Sequence, residues 1–314
     1  MRVALLVNPV ATRARGTLRA EATELLSRHG LADVLVTRAP GEAAALAARA
    51  AASGVDLVVA LGGDGTVADA AGALAGGSVA LVPLPAGSTN VFARALGWPS
   101  SPRRALAALE LALERPCLRS LVLGQLEAGD RRRVFCVSAG IGLDADTVHR
   151  VEARPAMKRV LRQGGFALAT VAATGRAARH PDRLAVSIDD GPAHGLASVV
   201  AAAGHPYAYL GRRPLDLAPG ARFDGVLAWT GLRTARATTV ARVVGGALAG
   251  GRHIGHPSVA HGIARRSIRV RAERPAPLQA DGEPLGWHPE VLITPGPHLA
   301  TLVPPAQVGT ARCR

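Results

Sequence analysis

The 314 residues contain a single lysine, Lys158, among 37 basic side chains, so arginine carries almost all of the positive charge. The commonest phosphate loop, Gly-x-x-x-x-Gly-Lys-Ser/Thr, is therefore excluded, and so is a protein-kinase core with its strand lysine. Lys158 stands far from the two glycine-rich turns that could cradle a phosphate. Aromatic residues make up only 3% of the chain. Stacking platforms for bases are thus poorly supplied, and a single-stranded nucleic-acid binder is not expected. The three cysteines, Cys117, Cys136 and Cys313, show neither paired nor metal-ligand spacing, which reads as a reduced, cytoplasmic protein without a disulfide framework. No apolar run approaches the ~18 residues of a membrane span, the nearest being Leu196 to Ala203. The first run, Val3 to Val7, is too short for a signal-peptide core and ends in Asn8-Pro9. Any membrane contact is expected to be peripheral.

What is present is a globular balance of 48% hydrophobic and 19% charged residues, in a length that suits two domains. The net charge of +14 favours anionic partners without choosing among nucleotide, anionic lipid and nucleic acid.

The chemistry gathers first at Gly62-Gly63-Asp64-Gly65-Thr66, after the apolar run Leu57 to Leu61 and before a helical stretch from Val67 to Leu74. Glycines at a strand-to-helix turn leave backbone N–H groups uncovered at a helix N-terminus, where they meet an anion. Asp64 would repel a bare phosphate, which argues for a Mg-nucleotide or a ribose contact; alternatively it caps the helix. A second such turn, Pro85-Ala86-Gly87-Ser88-Thr89-Asn90, follows the run Val79 to Val82. Two such turns on neighbouring strands would face one crevice. Gly63 to Ala68 fits the loose dinucleotide pattern, but Ala86-Gly87-Ser88-Thr89 stands where a dehydrogenase needs an acidic residue. Alternating runs at Val3–Val7, Val34–Thr37, Leu57–Leu61 and Val79–Val82, with helical stretches between them, predict a Rossmann-like α/β domain with a parallel sheet.

Asn8-Pro9, Gly62-Gly63-Asp64-Gly65-Thr66, Pro85 to Asn90 with Phe92-Ala93-Arg94, and Asp281-Gly282-Glu283 occur in the order of the motifs of the diacylglycerol kinase and sphingosine kinase-like lipid kinases. The chain resembles that family, whose nucleotide turn is shared with NAD kinases, from about residue 3 to about residue 295. The resemblance implies ATP and Mg²⁺ as cofactors, with Asn8, Thr37, Gly62, Gly63, Asp64, Gly65, Thr66, Gly87, Ser88 and Thr89 holding the nucleotide. Arg13 or Arg15 would be charge partners of the phosphates. One departure is Asn90-Val91-Phe92, where the family commonly has Asn-Asp-Phe and so one more carboxylate.

Beyond Pro116 the pattern changes to short strand-like runs with Gly and Asp turns, which predicts an antiparallel, sandwich-like β-rich domain. Gly129-Asp130 marks a hairpin, and Ala139-Gly140-Ile141-Gly142-Leu143-Asp144 resembles the family's Gly-x-Gly-x-Asp turn. Arg154, Lys158, Arg159 and Arg162 lie beside apolar neighbours in helical register, a surface suited to an anionic bilayer or simply a solvated face. Ala218 to Val226 resembles a family loop that binds a structural Mg²⁺, with Asp224 as its carboxylate. In the family, Asp281-Gly282-Glu283 supplies the general base; the residues themselves leave Asp281 and Glu283 open, and Asp-Gly also reads as a hairpin turn.

The expected protein is an NAD kinase/diacylglycerol kinase-like enzyme with a nucleotide domain over residues 1–120, rejoined by residues 290–305. Residues 121–289 form its lipid-substrate domain and residues 306–314 a disordered tail. It would phosphorylate the hydroxyl of a lipid such as diacylglycerol at a membrane surface, and an open sheet edge would permit a homodimer. An NAD kinase-like enzyme and a non-catalytic nucleotide-binding protein are the alternatives.

Overall fold

Continuous apolar runs become buried parallel strands in the first half of the chain, because a strand covered on both faces has no solvent side to alternate toward. The computed structural model describes residues 1–11, 16–152 and 183–308. They form two compact units, Met1–Val122 with the chain from Pro297, and Leu123–Gly296. Arg13, Arg15, the basic cluster from Arg154 to Arg162 and the end of the tail lie outside the described residues.

The first unit runs β1 (Val3–Val7), α1 (Thr17–Ser27), β2 (Leu31–Val36), α2 (Glu42–Ala52), β3 (Leu57–Gly62), α3 (Asp64–Leu74), β4 (Ala80–Pro85), α4 (Val91–Ala95) and α5 (Pro102–Glu114). Its strands are parallel in the order β2-β1-β3-β4, with Leu5 opposite both Val34 and Val59. β1, β3 and β4 are buried at every position, whereas β2, at the edge, keeps Ala32 and Asp33 exposed. β4 contains Pro83 and Pro85 yet pairs with β3 along its whole length. The amides of Ala80 and Ala86 bond to the β3 side, so with a period of two the odd positions face away from it, and prolines there remove no β3 bond. On that other side the returning chain pairs only at Thr301 with Leu81.

The chain leaves the first unit within β5 (Leu118–Ala128) and returns within β16 (Glu283–Leu302). Between them lie β6 (Arg131–Phe135), β7 (Ser138–Gly142), α6 (Leu143–Glu152), β8 (Leu184–Ile188), β9 (His194–Leu196), β10 (Ser198–Ala202), β11 (Ala208–Leu210), β12 (Arg213–Leu215), β13 (Leu227–Leu232), α7 (Ala237–Leu248), β14 (Val259–Ala264) and β15 (Ile268–Ala280). The second unit is antiparallel in the order β14-β13-β10-β7-β15-β16, with β8 on β15 and β9 on β8. The hairpin read at Gly129-Asp130 forms between β5 and β6. Helix α7 has no counterpart among the sequence expectations. Its ATTVARVVGGAL carries β-branched residues and two glycines, poor helix formers, and it is retained because Val240, Val243 and Ala247 are buried.

Cys136 is buried and outside any disulfide, but Cys117 is disulfide-bonded, a departure from the expected absence of disulfides. Spacing reveals only pairs close in sequence, which is why this bond could not be read there. Among the described residues no helix is long and apolar enough to cross a membrane.

Candidate functional site

In the first unit the two glycine turns meet backbone to backbone. A Cβ built on Gly87 would lie 2.7 Å from Gly63 Cα, and one on Gly62 would lie 2.7 Å from the Thr66 side chain. Only glycine permits either approach. Asn8, at the end of β1, donates from Nδ2 to Thr66 Oγ1 at 2.8 Å, and its own Oδ1 accepts the Val10 amide at 3.1 Å. Thr37 is buried beyond β2, its amide bonded to Val7 O at 2.9 Å. Asn90, left-handed at φ 50° and 4% exposed, clamps the second turn with the Gly87 amide to Oδ1 at 2.8 Å and Nδ2 to Gly87 O at 2.9 Å. Asn8, Gly62, Gly63, Asp64, Thr66, Gly87 and Thr89 are thus joined by direct contacts. Gly65 lies in the first turn of α3, and Ser88 is exposed between Gly87 and Thr89.

Asp64 opens α3, but its carboxylate serves the second turn. Oδ2 accepts the Thr89 hydroxyl at 2.7 Å and Oδ1 the Phe92 amide at 3.4 Å. Burial pushes this carboxyl up, against the lowering effect of Thr89 and the amides that open α4. Both oxygens therefore already have protein donors, and the side chain ties one turn to the other.

In the second unit Asp281-Gly282 is the two-residue turn of the β15–β16 hairpin, with φ of 50° and 81° and with Ala280 opposite Glu283. The hairpin reading and the candidate acid coincide, since this turn is what aims Asp281. Its Oδ2 accepts the Cys136 amide at 2.6 Å, and its Oδ1 accepts the amides of Val137 and Ser138 at 2.8 and 3.1 Å. Burial raises the carboxyl to about 6, outweighing those three N–H groups and nearby Arg133. Glu283, two residues on, is ion-paired with Arg133.

Beneath this turn is a buried polar chain. Tyr207 donates to Asp144 Oδ1 at 2.5 Å, and Gln279, 0% exposed, donates to Asp144 Oδ2 at 2.8 Å. Gln279 Oε1 then accepts the Gly282 amide at 2.9 Å. Burial raises the Asp144 carboxyl against both donors, and burial with the Asp144 charge drives Tyr207 well above its ordinary value. Gly140 makes the space, because a Cβ there would lie 1.8 Å from Asp144 Oδ2.

Asp224 is exposed in the loop between Phe223 (φ 58°) and Gly225 (φ 92°). Among the described residues no three His, Cys, Asp or Glu side chains converge. A cation held at this loop would take Asp224 as its one carboxylate and main-chain carbonyls as its other protein donors.

Two family models account for both units: "Diacylglycerol kinase catalytic domain" over residues 2–117 and "YegS C-terminal NAD kinase beta sandwich-like domain" over residues 136–305. The chain belongs to the YegS/diacylglycerol kinase catalytic-domain family.

A Pseudomonas putida (strain KT2440) protein of this YegS-like family, "Probable lipid kinase YegS-like", is 42% identical over 112 residues, 35% of this chain and 36% of that one. A protein of the same name from Xanthomonas oryzae pv. oryzae (strain MAFF 311018) is 36% identical over 160 residues, 48% of this chain and 46% of the relative. The chain thus spans between about a third and a half of the length of these curated relatives. The crystal structure of a diacylglycerol kinase from Bacillus anthracis str. Sterne covers 98% of both chains at TM-score 0.66 and 22% identity. A further structure from the same organism gives a TM-score of 0.73 at 23% identity. These likenesses show the fold.

For this YegS-like chain, Tyr207 lies outside every motif of the sequence, Gln279 opens the Gln279–Glu283 stretch without a role of its own there, and Asp144 is marked only by its Gly-x-Gly-x-Asp spacing. Replacing Tyr207 by Phe removes a donor from a buried carboxylate and should cost about 1–3 kcal/mol of stability at pH 8. Because burial raises Asp144, acid protonates it above its usual range, and the loss should shrink at lower pH. Urea unfolding followed from pH 8 down to the acid limit of the folded state tests this, and a loss that never changes with pH would detach Tyr207 from the Asp144 charge.

Proposed function

We propose that this chain transfers the γ-phosphoryl group of ATP to the hydroxyl of a lipid such as diacylglycerol. The carrying observation is Asp281, a carboxylate raised to about 6 and held on a rigid turn. A base near that value is ionised at neutral pH yet still accepts a proton readily. Oδ1 accepts two amides but Oδ2 only one, so Oδ2 keeps a lone pair for an acceptor hydroxyl. In the proposed step the lipid O–H proton passes to Oδ2, the lipid oxygen bonds to the γ-phosphorus, and the bond from that phosphorus to the β–γ bridging oxygen breaks, releasing ADP. Glu283, ion-paired with Arg133, fixes that guanidinium near the acid. The joined turns around Gly63 and Gly87 are the proposed seat of the ATP phosphates, with N–H groups and the hydroxyl of Ser88 as donors, while Thr89, whose hydroxyl is given to Asp64, holds the second turn in place. Mg²⁺ would supply charge shielding of the phosphates when bound with ATP.

A lipid acceptor is favoured over a dinucleotide by a narrow cavity between α7 and the strands β10 and β13. Leu143, Val200, Leu232, Val240 and Val243 line it, and Asp144, Ser198 and Thr230 are its polar members. Thr230 Oγ1 is buried there without a hydrogen-bond partner. At about 50 Å³ it is too small for a second nucleotide, and its mainly aliphatic walls suit the end of a hydrocarbon chain. The test is transfer of labelled γ-phosphate from Mg-ATP to diacylglycerol, sphingosine, total lipid extract and NAD. Label in a lipid is expected, and label in NAD alone would overturn the reading.

A further inference from the structure

Away from the polar chain of Asp144 and the turn of Asp281, the second unit carries an open trough of about 650 Å³. Its floor follows from strand register. Arg271 of β15, Ala185 of β8 and Gly195 of β9 stand in one row, and all three are exposed. The next row, Ala272, Leu184 and Leu196, places both leucines in the core on the opposite face, since side chains alternate along a strand. Small residues beside a long arginine leave the hollow, and a Cβ at Gly195 would meet nothing within 4 Å.

Three guanidinium groups, those of Arg183, Arg233 and Arg271, line this hollow against one carboxylate, Glu273, a net of two positive charges. Glu273 and Arg183 pair at 3.8 Å with both side chains largely exposed, a weak association that an incoming anion can displace. Arg271 shares Glu290 with Arg269 across the sheet. Arg233 is exposed, and its main chain is anchored to Ser258 O at 2.9 Å. Guanidinium groups match phosphate oxygens in pairs, the floor of Ala185, Ala193 and Gly195 carries no polar side chain, and His194 is a further polar residue of the lining. The hollow is open along one side, which suits a ligand whose remainder stays in a bilayer or in water.

We propose that this trough is a binding site for an acidic phospholipid, with the phosphate on Arg183, Arg233 and Arg271 and the glycerol and first acyl carbons on the Ala185–Gly195 floor. It is separate from the proposed acceptor cavity under α7 and does not depend on the phosphotransfer reading.

Calorimetric titration of the full chain with dihexanoyl phosphatidylglycerol, below the concentration at which it forms micelles, tests it. Dihexanoyl phosphatidylcholine and inorganic phosphate are the comparison ligands. Saturable binding of phosphatidylglycerol is expected, weakened roughly tenfold or more by Arg233→Glu, which replaces a charge-assisted bond with repulsion. Gly195→Leu should weaken it comparably by filling the trough, in open space and without a left-handed backbone requirement. Gly245→Ala, with open space around its Cβ and outside the trough, should bind like the wild type, and the titration contains no ATP, so failure of catalysis would leave the result readable. Should Gly195→Leu prove unstable in a thermal melt, Arg233→Glu alone decides. Equal binding of phosphatidylcholine, equal binding of free phosphate, no binding at all, or unaltered binding in folded variants would each overturn the proposal.

Discussion

Asp281→Asn should lower the rate of phosphoryl transfer by a factor of roughly 10² or more while leaving ATP affinity unchanged. Asparagine tolerates the left-handed φ of 50° at this turn, so the hairpin should persist. What disappears is the group proposed to accept the lipid proton. The carboxamide has one oxygen, whereas the Cys136 amide approaches one carboxylate oxygen and the Val137 and Ser138 amides the other, so at least one bond is also lost. The wild-type rate should fall with unit slope below pH about 6, because the protonated carboxyl cannot accept a second proton. At pH 7 a carboxyl of that value is about ten to one ionised, leaving the rate near its plateau. Single-turnover transfer measured from pH 5 to 8 checks both statements. Wild-type activity in Asp281→Asn would remove it as the base and turn attention to Glu283.

The same ionisation bears on stability, and its sign follows from the direction of the shift. A folded-state value raised from 3.8 to about 6 means that the folded protein binds the proton more tightly than the unfolded chain. Its contribution is fully present below about 4 and is lost as pH rises through about 6, on the order of 3 kcal/mol across that window. Asp64 and Asp144 are raised by burial in the same sense. Asp281 should therefore raise the melting temperature as pH falls from 7 to 5. His253, which burial lowers, acts in the opposite sense, and the difference between wild type and Asp281→Asn isolates the carboxyl.

Gly87→Val should weaken ATP binding roughly tenfold or more with the fold preserved. The new Cβ would sit 2.7 Å from Gly63 Cα and 3.0 Å from Asn90 Oδ1, and the first of these is backbone that cannot rotate away. Relief requires the two turns to separate, which pulls Thr89 from Asp64 and moves the N–H groups proposed to hold the phosphates. Gly245→Ala, in α7 with nothing within 4 Å of its Cβ, is the matched control and should leave affinity unchanged. ATP titration of both variants decides, and unaltered binding in Gly87→Val would place the nucleotide elsewhere.

Local pattern sufficed wherever the determining contacts lie within a few residues. The apolar runs at Val3–Val7 and Leu57–Leu61, the strand-to-helix turns at Gly62–Thr66 and Ala86–Asn90, and the hairpin signals at Gly129-Asp130 and Asp281-Gly282 all became what their residue types dictate. Helix α7 did not, because burial of Val240 and Val243 overrides a composition unfavourable to helix. The disulfide-bonded Cys117 likewise contradicts a reading based on spacing alone.

What the chain determined by itself was the positions of its turns and the order of its motifs, since glycine, proline and β-branched residues act on their own backbone. What tertiary structure decided was the chemistry of the acids. Asp64 bonds to Thr89 across 25 residues, Asp281 to Cys136 across 145, and Gln279 to Asp144 across 135. A carboxyl's proton affinity depends on how deeply it is buried and which donors face it, and both are properties of segments that meet only when the chain has folded.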